Sequence, residues 1–170
     1  MDKIFLENLI IQNITYIGHC LTSDNILCNG FFNSYGFHIG NKHIKIFKSK
    51  TNIHSFVITG IQDKYQLKNV LNKCDFLVLS IDISLINLKL KLNFDKIRLF
   101  ELGNYLKKNI QNVNIIYDNL LHSSLRIKTD HFTIMLFRTG TTIISLKHLS
   151  WLSDCYRISS FINNYLESKE

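Results

Sequence analysis

The side chains of this sequence that could do chemistry are suited to binding rather than to reaction. Two stretches, Ile44–Gly60 and Phe132–Leu146, alternate residues between two faces and carry turn residues in the middle, which predicts two hairpins. The second face of Phe132–Leu146 carries Met135, Phe137, Ile143 and Ser145. Such a hairpin is either buried on both sides or built to lie on a flat apolar surface, because a solvated face would carry charge.

No arrangement typical of an enzyme occurs. The chain has no Gly-rich phosphate loop, no G-x-S-x-G motif and no carboxylate pair at a telling spacing. Its four cysteines, Cys20, Cys28, Cys74 and Cys155, form no C-x-x-C pair. His38 and His43 are the nearest approach to a ligand pair, but five residues apart on one predicted strand they would point to opposite faces. We therefore expect no enzyme activity, no metal and no cofactor.

Composition indicates a globular protein with a polyanionic partner. The chain has 170 residues, 46% of them hydrophobic, and a net charge of +7. An excess of cations favours nucleic acid or an anionic membrane surface as a partner. No apolar run is long enough for a membrane span, and Met1-Asp2-Lys3 does not begin a signal peptide, so we expect a soluble intracellular protein.

The order of predicted elements repeats. Three amphipathic helices are predicted, over Gln62–Lys73, from Leu99 to Lys107-Lys108, and over Ser150–Leu166 with Ser150 as N-cap. Predicted strands occupy Ile4–Gly18, Cys28–Ile39, Ile81–Leu92, Val113–Ile116 and Leu121–Lys128, in addition to the two hairpins. In the first half the polar stretch Thr22–Asn25 could cap a further, brief helix. Each half thus reads strand, helix, several strands, long helix, and we place the repeats at residues 1–78 and 79–170 of one domain. Asn13, Phe47 and Thr59 match Asn87, Phe137 and Ser145.

These residues resemble the TATA-box-binding protein (TBP) family, and the resemblance covers about residues 8–168. Six short motifs occur in the family's order: IIQNIT at Ile10–Thr15, VITG at Val57–Gly60, INL at Ile86–Leu88, KIRL at Lys96–Leu99, YDNLL at Tyr117–Leu121 and LFRTG at Leu136–Gly140. The resemblance implies an α+β fold in which two repeats form one curved antiparallel sheet, a saddle. Its convex face would pack on the long helices, and its concave face would lie on the minor groove of DNA.

The resemblance also implies which side chains meet DNA. They comprise hydrogen-bond donors (Asn13, Asn87, Thr59, Ser145), groups that pack on sugars and base edges (Thr15, Val57, Met135, Ile143), wedges between base steps (Phe47, Phe137, with Phe32 or its neighbour Phe31, and Leu121) and cations (Lys48, Lys50, Lys89, Arg138). Asp118 corresponds to an acidic residue that contacts a B-type initiation factor in the family. Lys45 and Lys89 replace apolar residues of the family, which is typical of a divergent member, of viral origin or from an AT-rich lineage.

Three functions are compatible with the sequence. The first is a TBP-like transcription initiation factor that binds and bends A/T-rich promoter DNA and recruits initiation factors and RNA polymerase. The second is a protein-interaction subunit of a transcription complex that keeps the fold but not the DNA specificity. The third is an unrelated α+β interaction domain with a fortuitous repeat. For the first we expect a nuclear location, or a cytoplasmic viral factory or virion, and no membrane or small-molecule substrate.

Overall fold

A computed structural model of the protein describes residues 8–22, 34–92, 94, 96–117 and 123–169. The described elements are strands β1 (Ile10–Thr22), β2 (Ser34–Ile39), β3 (Lys42–Phe47), β4 (Ile53–Ile61), β5 (Phe76–Lys91), β6 (Asn114–Ile116), β7 (Ser124–Lys128), β8 (Phe132–Phe137) and β9 (Thr141–Leu146), helices α1 (Lys64–Leu71), α2 (Leu99–Asn109) and α3 (Leu152–Glu167), and a 3₁₀ helix, Leu149–Trp151.

The chain divides into two compact units. The N-terminal unit spans Gln12–Leu85, and the C-terminal unit includes everything described from Ile86 onward. The predicted boundary between residues 78 and 79 lies inside β5, a strand that continues from one unit into the other.

The N-terminal unit is built on antiparallel strands in the order β2-β3-β4-β1, followed by β5. Alternate residues of these strands, including Ile44, Ile46, Phe56 and Ile58, are almost completely buried. Lys45 and Val57, between them in sequence, are only partly buried. This period of two gives the sheet one buried face and one open face, and we use these two terms below for both units.

Helix α1 begins at Lys64, two residues after its predicted start at Gln62. The Asp63 side chain caps the helix by accepting a 2.8 Å hydrogen bond from the backbone N–H of Gln66. This bond satisfies a donor that the first turn of a helix leaves without a partner. The helix ends at Leu71, earlier than predicted, and only Val70 within it is fully buried.

The C-terminal unit repeats the plan with longer helices. Its strands follow the order β5-β9-β8-β7-β6, and all pairs are antiparallel. Leu99, Leu102 and Leu106 form the buried stripe of α2, which ends beyond Lys107 and Lys108 as predicted. Tyr105 of α2 stacks on Phe161 and Tyr165 of α3, with ring centroids 5.5 and 4.2 Å apart. The two helices therefore pack against each other through aromatic rings.

The predicted start of the last helix, the predicted start of β5 and the predicted end of β1 are wrong. Ser150 is not the N-cap of the last helix: it lies in the 3₁₀ helix, its backbone N–H donates to His148 Nδ1, and α3 begins only at Leu152. Strand β5 begins at Phe76, five residues before the predicted start at Ile81, because Phe76–Ser80 also belongs to the strand. β1 likewise continues to Thr22, past the predicted end at Gly18.

Candidate nucleic-acid interface

The open face of the N-terminal unit has an apolar centre interrupted by a cation. Val57 on β4 lies across from Ile17 on β1 and from Lys45 on β3. One pair further along β3, Phe47 is 40% exposed, and the Lys45 ammonium lies 5.1 Å from the centroid of its ring. A cation over an aromatic face is attracted by the ring quadrupole. The predicted wedge Phe47 therefore presents its ring to solvent with a lysine held over it.

A β-bulge changes the phase between β1 and β4 beside Thr59. Ile14 pairs with Ile61 but Tyr16 pairs with Ile58, so Thr59 and Gly60 together face the single residue Thr15. Gly60 has a positive φ of 83°, a conformation that glycine adopts without a Cβ clash. Asn13 and Thr15, both half-buried, lie on the open face with Thr59, and Thr59 itself pairs with His43 on its other side.

The expectation that His38 and His43 point to opposite faces is wrong. They lie on different strands, β2 and β3, joined by a tight turn at Gly40 and Asn41, and they pair directly across the hairpin. Their rings stand 4.8 Å apart on the open face. A two-residue turn places residues i and i+5 on the same face, whereas a single strand would separate them.

The open face of the C-terminal unit has an unbroken cross-strand row. Lys89 on β5 pairs with Ile143 on β9, Ile143 pairs with Met135 on β8, and Met135 pairs with Arg126 on β7. Ile143 and Met135 form its apolar centre, with a cation at each end. The Nε of Arg126 is buried and makes no hydrogen bond to any residue the structure describes.

The next row of this unit carries hydrogen-bonding groups. Asn87 pairs with Ser145 across β5 and β9, and the Ser145 hydroxyl donates a 2.6 Å hydrogen bond to Asn87 Oδ1. This bond engages the amide oxygen of Asn87, and the donor half of the same side chain is its NH₂ group. The row continues through Thr133 to Lys128.

Phe137 is the last residue of β8, and Arg138 begins the turn that connects β8 to β9. Phe137 is half-buried and pairs with Ser124. Arg138 accepts a backbone hydrogen bond from Ile97 N–H at 2.9 Å, and its side chain lines a cleft together with Lys96 and Arg98 at the start of α2. Glu101 also lines this cleft and pairs with Arg98 at 3.1 Å, so Lys96 and Arg138 are the cations of the cleft that suit a phosphate contact.

Some predicted site residues cannot be placed, and some open-face residues were missed. Phe32, Leu121 and Asp118 lie outside the described residues. Lys48 follows β3 directly, beside Phe47. Arg126 and Lys128 were not predicted as site residues, although their alternation with the buried Leu125 and Ile127 would have placed them on the open face.

The three cysteines that the structure describes, Cys20, Cys74 and Cys155, are buried or partly buried free thiols. Burial raises the pKa of Cys20 and of Cys74 to about 11, and that of Cys155 to about 12, so these thiols stay protonated near neutral pH. Within the described ranges no three His, Cys, Asp or Glu side chains gather as metal ligands. In the same part of the chain, no helix is long and apolar enough to cross a membrane.

The topology of the two units defines the class of fold. In each, three antiparallel strands in sequence precede a helix, and an earlier strand, β1 or β5, pairs with the last of the three. This is the two-repeat α+β fold of TATA-box-binding proteins, and it confirms the fold class predicted from the sequence.

A solved structure supports the same conclusion. The TBP of Methanococcus jannaschii matches with a TM-score of 0.61 over 95% of this chain and 99% of that chain, at 14% sequence identity. At this identity the likeness shows the fold alone. No protein-family model and no curated protein sequence matches the chain.

Proposed function

We propose that the chain is a TBP-like transcription initiation factor that binds and bends A/T-rich DNA through the minor groove. The observation that carries the proposal is the charge of the sheet. The nine strands contain a single carboxylate, Asp82, against six lysines and arginines and four histidines. A sheet of this size with two partly apolar, carboxylate-free rows is suited to a polyanion that also offers flat apolar surface.

The chemistry of the open faces fits the minor groove. A·T pairs present only acceptors there, whereas G·C pairs add the guanine amino donor. Asn87, whose amide oxygen Ser145 engages, and Thr59 supply donors, and Val57 and Ile143 supply apolar bulk that would clash with the guanine amino group. Phe47 and Phe137 are the wedges, and the cost of unstacking a base step is offset by the contact area gained on the bent duplex.

The cations supply the phosphate contacts. Lys48, Lys96 and Arg138 are suited to the DNA backbone, as are Lys89 and Arg126 at the ends of their row. Each phosphate contact releases counterions, so the affinity should fall steeply with salt. In this role the protein acts by binding and not by catalysis, and it needs no cofactor.

A second candidate rests on the central lysine of the N-terminal unit. Lys45 occupies a position where contact with base edges calls for an apolar group. A TBP-fold protein-interaction subunit that has lost sequence-specific DNA binding would tolerate it. In either case we propose partners in the transcription machinery, a B-type initiation factor reached through Asp118 and an RNA polymerase, in a nucleus or in a cytoplasmic viral factory or virion.

The test is a bending measurement on short duplexes labelled at both ends with a fluorescent pair. We expect an A/T-rich duplex to shorten end to end on binding, and the double variant Phe47→Ala with Phe137→Ala to bind without shortening it. The control is Tyr65→Ala, which removes an exposed aromatic ring on α1, outside the open faces. Equal, weak and wholly salt-driven binding to A/T-rich and G/C-rich duplexes would favour the second candidate.

A further inference from the structure

A cleft of about 550 Å³ lies within the C-terminal unit, and the DNA proposal does not use it. Three segments form it: the connection from α2 to β6, the turn between β7 and β8, and the first turns of α3. Its volume falls in the range of about 300–1,000 Å³ that is typical of ligand pockets. The apolar walls are Ile110, Val113, Phe132, Trp151, Ile158 and Phe161.

Aromatic rings define one side of the cleft. His131 stacks on Trp151 with ring centroids 3.7 Å apart and planes within 4° of parallel. Trp151 is half-buried, and Phe161 is held from behind by its contact with Tyr105. Large rings fixed by neighbours provide apolar contact area with little loss of side-chain entropy on binding.

The charge at the mouth of the cleft is opposite to that of the chain. The described ionisable residues of the lining are two carboxylates, Asp130 and Asp154, one guanidinium, Arg157, and the imidazole of His131. Arg157 lies 3.7 Å from Asp154 with 83% of its side chain exposed, and such an exposed pair is weak because water screens it. No ion pair joins Asp130 to any residue that the structure describes. A chain of net charge +7 thus has a locally acidic mouth over an aromatic floor.

We propose that this cleft docks a protein partner through a segment that pairs bulky apolar side chains with a lysine or arginine. The apolar side chains would enter among Phe132, Trp151 and Phe161, and the cation would meet Asp130 at the rim. Charge complementarity selects this occupant over a nucleic acid, whose phosphates the two carboxylates would repel. The cleft would therefore serve an assembly contact made independently of the open faces.

Trp151 provides a direct readout, because it is the only tryptophan in the sequence. The full chain is titrated with two capped tripeptide amides, acetyl-Leu-Arg-Phe-amide and acetyl-Leu-Glu-Phe-amide, while the fluorescence of Trp151 is recorded. We expect a saturable change with both, and an affinity at least about fivefold higher for the arginine peptide. Phe161→Ala should weaken both peptides.

A matched pair of variants separates the local carboxylate from net charge. Asp130→Asn should reduce the preference for the arginine peptide to about twofold or less, whereas Asp82→Asn on β5 should leave it unchanged. Equal affinities for the two peptides, no saturable change, or the same loss in both variants would overturn the proposal. So would an A/T-rich duplex that displaces the arginine peptide, since the cleft would then belong to nucleic acid.

Discussion

The open faces of the two units differ most at their centres. The C-terminal unit places Met135 beside Ile143 at the centre of its row, with Lys89 and Arg126 at the ends. At the topologically equivalent position of the N-terminal unit, Lys45 lies beside Val57, and its β2 neighbour is Gly36. One unit therefore keeps its cations at the margins, and the other carries one in the middle.

The polar groups of the two open faces also differ, because they are held by a hydrogen bond in the C-terminal unit and displaced by a bulge in the N-terminal unit. In the C-terminal unit Ser145 fixes Asn87 by a direct hydrogen bond. In the N-terminal unit the bulge at Gly60 offsets β1, so Thr15 rather than an asparagine lies across from Thr59. If the chain binds DNA as proposed, the comparison predicts a division of labour, meaning different roles for the two units. The C-terminal unit would discriminate base pairs by shape and by donors held in place, and the N-terminal unit would contribute mainly positive charge.

The largest expected effect is a loss of stability, and it tests whether the two units unfold together or independently. Ile46→Ala and Leu136→Ala each remove a fully buried side chain next to a proposed wedge, and each should cost about 2–5 kcal/mol of stability. Because β5 continues from one unit into the other, we expect a single urea transition that both variants lower when Trp151 fluorescence is monitored. An unchanged Trp151 midpoint in Ile46→Ala would show that the units unfold independently.

Exchanging the central residues should exchange the behaviour of the two faces. Met135→Lys should lower the preference for A/T-rich over G/C-rich duplexes by about tenfold and steepen the salt dependence of log K by about 0.9. Lys45→Met should make the salt dependence shallower by about the same amount and raise the preference. Gel shifts over a salt series measure both quantities, and Lys107→Met on α2 is the charge control. A similar loss of preference in Lys107→Met would contradict the division of labour.

The smallest expected effect concerns the hydroxyl donors. Ser145→Ala removes the bond that orients Asn87 and should weaken binding to an A/T-rich duplex about fivefold, equivalent to about 1 kcal/mol. Thr59→Ala should weaken it only about twofold, because the bulge leaves Thr59 facing Thr15. Fluorescence anisotropy with a labelled duplex measures both, and a larger loss for Thr59→Ala would reverse the comparison.

The alternation of buried and open residues along each strand could be predicted from the sequence, whereas the pairing of residues between strands could not be predicted as well. Ile44 and Ile46, or Ile134 and Leu136, are buried as their period of two predicts. The Gly40-Asn41 turn was missed, although a glycine and an asparagine between apolar strands favour a two-residue hairpin loop, and the positions of His38 and His43 followed from it. The bulge at Gly60 has no equivalent local signal, because it depends on which residue of β1 each residue of β4 meets.

The same limit applies to the candidate site. The matched phenylalanines and the Asn87–Ser145 pair lie on the open faces as the repeat predicted. The meeting of Arg138 with Lys96 and Arg98 joins segments some forty residues apart. Contacts of that separation depend on the packing of α2 against the sheet, which no local pattern encodes.

The bulge at Gly60 also bears on how the chain tolerates changes of length. One extra residue in β4 keeps Ile58 and Ile61 both on the buried face although they are three positions apart. Deleting Gly60 would restore an uninterrupted period of two, in which Ile58 and Ile61 are two positions apart and both still face the core. Deleting Val57 would instead make Phe56 and Ile58 adjacent and turn one of these two buried side chains toward solvent. Gly60 is therefore a position at which β4 can lose a residue without exchanging core for surface.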